Sequence, residues 1–224
     1  YPLIENNKLI DYYKQLGINE NYKLEFSNIE IIWVYQRFIF PTNFDSTLKN
    51  KLNNNYDFIV IPLGIDTPVA SHANMIIIDN INKTIERFEP NGSNEPRGIK
   101  YNETLLDDIL NNKFKLLLED YKYMKPSDYL PIVGFQLLDI SEKDKCNKIG
   151  DPNGFCAVWC VWWTFMRIKH QKIKQKELAL ELIRIIKFKN IKFKNLIRNF
   201  SNRITKLRDA ELEKYKITID DWML

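Results

Sequence analysis

Short apolar runs closed by Asn, Asp, Gly or Pro fill the first half of the chain, and stretches with Leu and Ile at helical spacing dominate the last third. The run Phe58-Ile59-Val60-Ile61 predicts a central strand, which Pro62 should close because proline donates nothing to a ladder. Residues 75–79 of "HANMIIID" and 83–88 of "KTIERFEP" predict two more strands, joined as a hairpin through "NINK". "NIEIIWVYQRFIFP" fits a strand or the edge of a buried helix, and "YLPIVGFQLLDI" resembles a further strand. "NFDSTLKNKLNNN" and "NETLLDDILNNKFKLLLEDY" read as helices. A polar loop, "SEKDKCNKIGDPNG", then leads into an apolar helix over 155–166. The pattern predicts an α+β fold with a central mixed sheet and a helical C-terminal region, undivided by repeats or low-complexity linkers.

Composition narrows this reading. At 224 residues, 45% hydrophobic and 13% aromatic, the chain suits one globular domain with a sizeable core. Its longest apolar run falls short of the roughly 20 residues of a membrane span, so no membrane partner is expected. Tyr1 is not an initiator Met, which predicts a fragment or a processed product. Three cysteines, an odd number at irregular positions, predict free thiols in a reducing compartment. The net charge of +4 is mild, but Lys and Arg crowd into residues 172–208. Such a run is usually the solvated face of amphipathic helices; nucleic acid or an acidic partner is the other expectation it raises.

Candidate chemistry begins at Cys156. The stretch Asp151-Pro152-Asn153-Gly154 cannot be helical throughout, so Cys156 falls at the N-terminus of the apolar helix, where free amides and the helix dipole favour a thiolate. Cys160, one turn further in, reads as a small core residue, and Cys146 sits on a lysine-rich loop. An imidazole helps a thiolate by taking its proton and returning it to a leaving amine, and the chain offers His72 and His170. His170 ends the helix that Cys156 begins, about 21 Å away at 1.5 Å per residue, which leaves His72. Glu89, after the second hairpin strand, emerges at the same sheet end as His72, before the first, and can orient the ring. Glu86 and Asp79, nearer the turn, read as solvated strand-end charges.

Together, "HANMIIIDNINKTIERFEPNG", "GFQ" and "PNGFCAVWC" resemble the clan of cysteine proteases that contains the adenovirus protease and the SUMO and ubiquitin-like-protein proteases. The order His, acid, Gln, Cys is that clan's, as is the step of 17 residues from His72 to Glu89. The wording looks most like members encoded by giant DNA viruses, over about residues 56–170. Ala73 and Asn74 stand where SUMO proteases carry a Trp after the His.

The resemblance implies an adenovirus-protease/SUMO-protease-like fold, with a catalytic core at 56–170, an N-terminal accessory part at 1–55 and a basic helical part at 171–224. It implies a thiol protease in which Cys156 attacks, His72 shuttles the proton, Glu89 orients His72 and Gln136 stabilises the oxyanion, with Asn153 as the substitute for Gln136. No metal or organic cofactor is needed. The implied substrates are conjugates or precursors of ubiquitin or a ubiquitin-like modifier, cut after a C-terminal glycine in the host cytoplasm or the virion. Alternatives are a maturation protease cutting viral structural polyproteins at Gly-containing sites, an acetyltransferase using the same triad, and a nucleic-acid-binding module.

Overall fold

The computed structural model describes residues 24–26, 29–54, 56–94, 99–138 and 155–218; Cys146 and Asn153 lie outside the described residues. The central strand is β4 (Phe58–Asp66), apolar on both faces. Phe58 and Val60 enter one core, while Ile59, Ile61, Leu63 and Ile65 enter the other, as period-two alternation requires. Antiparallel β5 (Ser71–Asp79) pairs with its full length, from Phe58 opposite Asp79 to Asp66 opposite Ser71. On its other edge β1 (Leu24–Phe26) and β2 (Ile31–Val34) run parallel to successive parts of β4, and β3 (Arg37–Ile39) folds back on β2. Next to β5 come β6 (Thr84–Phe88), antiparallel, and β7 (Lys122–Met124), parallel to β6. The sheet is therefore mixed.

Pro62 does not close the strand. On that edge of β4, β1 covers Phe58 to Val60 and β2 covers Leu63 to Asp66, so among the described residues no ladder bond needs its missing N–H. "NIEIIWVYQRFIFP" proves to be a hairpin, β2 to β3, whose turn residues Tyr35 and Gln36 have φ of 49° and 58°.

Helices α1 (Phe44–Asn53) and α2 (Glu103–Leu117) cover one face, burying Phe44, Leu48, Leu106, Leu110 and Phe114. The run expected as a strand over 129–140 is instead the end of a short helix, α3 (Pro126–Tyr129), followed by turns to residue 138. Gly134 and Gln136 donate to the carbonyls of Asn91 and Pro90, and Ser93 donates to Pro131, so this segment is laced to the chain leaving β6 rather than to a strand. Helix α4 (Cys156–Lys169), with α5 (Gln175–Phe188) and α6 (Phe193–Tyr215), covers the other face. There Trp163 stacks on Phe88 with ring centroids 5.0 Å apart, and Phe135 lies 5.1 to 5.9 Å from Trp159, Trp162 and Trp163.

Asp79 and Glu86 are not solvated; both are fully buried. Arg167 on α4 reaches Glu86 at 3.0 Å and Asp79 at 3.3 Å, and the Trp163 indole donates to Glu86 at 2.9 Å. Pairing with a helix cation makes their burial tolerable and fixes α4 on the sheet. Lys172, Lys174, Lys176, Lys187, Arg203 and Lys206 are exposed, the solvated-face reading of the basic run. Among the described residues no helix is long and apolar enough to cross a membrane.

Candidate active site

The site forms where the sheet runs out of partners. β6 pairs with β5 only from Met75 to Asp79, and the stretch of β5 before Met75 meets the start of α4. The N–H and C=O of one strand residue point to the same edge. At Ala73 that edge faces α4: the amide donates to the Cys156 sulfur, and the carbonyl accepts from Cys160 Sγ at 3.5 Å. Cys156 is the first residue of α4 and is half-buried, so its sulfur sits at the open end of the helix and stays reachable. Cys160 is fully buried, as its core reading predicts.

His72 lies within β5, rather than before it, and is only 4% exposed. Its Nε2 is 2.8 Å from Glu89 Oε1 and 2.9 Å from Oε2. A carboxylate only accepts, so this contact assigns the proton to Nε2 and leaves Nδ1 for the Cys156 sulfur, with which the ring hydrogen-bonds. Glu89, fully buried, also accepts from the Asn91 amide at 2.9 Å, Asn74 Nδ2 at 2.8 Å and the Tyr101 hydroxyl at 2.7 Å.

The electrostatics follow from these contacts. Burial opposes charge on His72, but hydrogen bonds to Cys156 and Glu89, and their charges, outweigh it and raise the pKa from 6.5 to about 9. Burial would raise the Cys156 thiol; the His72 side chain and the amides of Ala73 and Ala157 reverse this and hold it below its ordinary value. Burial likewise works against the Glu89 carboxylate, and His72, Arg87 and the Asn91 amide bring its pKa below the usual range. The arrangement favours a thiolate–imidazolium pair backed by a carboxylate, which is a poised nucleophile with its proton donor. By contrast burial pushes the Cys160 thiol well up.

Gln136 sits in the turn after α3. Its amide bonds to the Pro90 carbonyl, next to Glu89, and its neighbour Phe135 packs on the tryptophans of α4. Among the described residues its buried Oε1 has no hydrogen-bond partner. His170 is at the far end of α4, as the sequence requires.

Sequence reading passed over the groups behind Glu89. Arg87 Nη1 donates to Asn74 Oδ1 at 2.6 Å, and Arg87 is itself clamped by Asp107 of α2 at 2.7 and 2.8 Å. The signal was available: Asn74 and Arg87 each stand two residues from a candidate, His72 and Glu89, which on a strand places them on one face.

No family model matches the chain. It is 36% identical over 233 residues to a protein of Acanthamoeba polyphaga mimivirus that carries the name ankyrin repeat protein L371. The match takes in 99% of this chain, which spans only 30% of the length of that relative. A crystal structure of a de-sumoylating protease aligns with a TM-score of 0.40 at 16% identity, over 99% of this chain and 86% of that one.

Proposed function

We propose that the chain is a thiol protease that cleaves ubiquitin or a ubiquitin-like modifier from conjugates or precursors after a C-terminal glycine. The observation that carries the reading is the join of Cys156, at the first turn of α4, to His72 while Glu89 holds the opposite ring nitrogen. In this reading the Cys156 thiolate attacks the scissile carbonyl, and the oxyanion is received by backbone amides at the helix start and the Gln136 side chain. The His72 imidazolium gives its proton to the leaving amine, then takes one from the water that hydrolyses the thioester, restoring the thiol pair. Residues 56–170 form the catalytic core, flanked by an accessory part before them and a basic helical part after them. The substrate class rests on the motif resemblance, and the mimivirus relative supports a viral setting.

The test is a panel of ubiquitin and ubiquitin-like probes ending in a C-terminal electrophile. Covalent capture at Cys156, lost in Cys156→Ala, is the expected result. Inertness to every modifier, alongside cleavage of viral structural precursors, would reassign the enzyme to polyprotein maturation.

A further inference from the structure

Arg87 and Glu89 are separated by one residue along the chain and joined by two parallel bridges. Arg87 Nη1 donates to Asn74 Oδ1 at 2.6 Å, and Asn74 Nδ2 donates to Glu89 Oε2 at 2.8 Å. The same Nη1 lies 3.4 Å from the Tyr101 oxygen, and the Tyr101 hydroxyl donates to the same Oε2 at 2.7 Å. A guanidinium only donates and a carboxylate only accepts. The bridging group between them must therefore accept on one side and donate on the other, which both an amide and a hydroxyl can do. Asp107 fixes Arg87 through two contacts, and Tyr123 donates to the same Asp107 at 2.7 Å, so the cation cannot turn away. All five side chains other than Tyr123 are buried.

We propose that Asn74 and Tyr101 are positioning residues for the candidate triad: aimed by the Arg87–Asp107 pair, they clamp Glu89 Oε2 so that both carboxylate oxygens face His72 Nε2. This deepens the protease reading and rests on it. With either donor removed, the carboxylate turns more freely and takes up a proton more readily. The imidazolium then loses part of its partner, and the thiolate it supports becomes harder to form.

The probe is iodoacetamide, which alkylates thiolates and needs no knowledge of the substrate. Its rate at Cys156 is read by peptide mass spectrometry across pH 4 to 10 in the folded chain, with circular dichroism run in parallel. Wild type should give a half-point well below the ordinary thiol value, and Tyr101→Phe, which keeps the ring and removes only the hydroxyl, should move it up by about one unit, roughly a tenfold rate loss at low pH. Asn74→Ala should move it in the same direction. A depressed wild-type curve on which both variants superimpose would sink the positioning role and leave the triad standing. A wild-type half-point in the ordinary thiol range would sink the triad reading itself. A purely structural role would lower the melting temperature without displacing the alkylation curve.

Discussion

Cys160 Sγ lies 3.5 Å from the Ala73 carbonyl, one helical turn beneath the sulfur that receives the Ala73 amide. The two cysteines thus grip both polar groups of one strand residue, but only Cys156 is reachable from solvent. Cys160→Ala removes a buried thiol and should lower stability by about 1 kcal/mol, while the alkylation rate at Cys156 stays within about twofold of wild type. Cys156→Ala should leave the fold intact and abolish modifier cleavage. The opposite pattern, a dead Cys160→Ala and an active Cys156→Ala, would move the nucleophile one turn down the helix.

Among the described residues every hydrogen-bond partner of the Glu89 carboxylate is a donor: His72 Nε2, Asn74 Nδ2, the Tyr101 hydroxyl and the Asn91 amide. Glu89→Gln keeps the shape but turns an NH2 toward one of them. An amide is a tolerable ring-holder in an open site; in this one it meets a donor and leaves it unsatisfied. Glu89→Gln should therefore cost about 1–3 kcal/mol of stability and roughly a hundredfold or more in kcat/KM. Urea titration and probe-substrate kinetics measure the two losses, and near-wild-type values in both would mean that the carboxylate is not needed.

The pH dependence has a definite sign. His72, raised from 6.5 to about 9, adds stability that is complete below 6.5 and fades as pH climbs through about 9. Cys156, lowered from 9.0, adds stability that is complete above 9.0 and fades as pH falls through its own depressed value. Where pH lies above both 6.5 and the depressed Cys156 value and below about 9, the pair moves a proton internally and takes up none on folding, so its joint contribution is flat there. The rate kcat/KM should show a matching plateau, with an alkaline limb near pH 9 as the imidazolium deprotonates. A limb near 6.5 instead would mean a neutral imidazole beside a neutral thiol.

How much of this was readable in the sequence depends on where local pattern and tertiary contact agree. The hairpin carrying His72 and Glu89 and the start of α4 at Cys156 were legible, because alternation, the turn residues and the apolar helix all point one way. The turn at Tyr35 and Gln36 was not, since positive φ is normally signalled by Gly or Asn. "YLPIVGFQ" was misread because an apolar run looks the same whether a ladder or a set of tryptophans buries it. Glu86 and Asp79 were misread because their partner, Arg167, is some eighty residues away, beyond any window of pattern.

The lacing that sets Gln136 beside Pro90 depends on two glycines. A Cβ on Gly134 would come within 2.5 Å of the Asn91 carbonyl carbon and the Pro90 oxygen, and Gly92, with φ of +101°, faces it just as closely. All the obstructing atoms are backbone and cannot rotate aside. Gly134→Ala should cost about 1–3 kcal/mol and, by shifting the chain that carries Gln136 and Glu89, depress kcat more than KM. A melting curve and a Michaelis curve together test this, and an unchanged melting temperature would show that the two segments part freely.

Arg167 holds two carboxylates that water cannot reach, Glu86 and Asp79. Arg167→Met should therefore be among the costliest single changes in the chain, about 3–5 kcal/mol, because it strands buried negative charge. Asp79 keeps the turn amides of Ile81 and Asn82 at 3.0 and 2.9 Å, but among the described residues Glu86 keeps only the Trp163 indole. Most of the penalty should thus sit on Glu86, and adding Glu86→Met to Arg167→Met should restore stability rather than lower it further. Urea titration of the two single variants and the double variant reads the coupling. Additive losses would mean that the cation and Glu86 are solvated independently, and that α4, with Cys156 at its tip, is held on the sheet by its tryptophans alone.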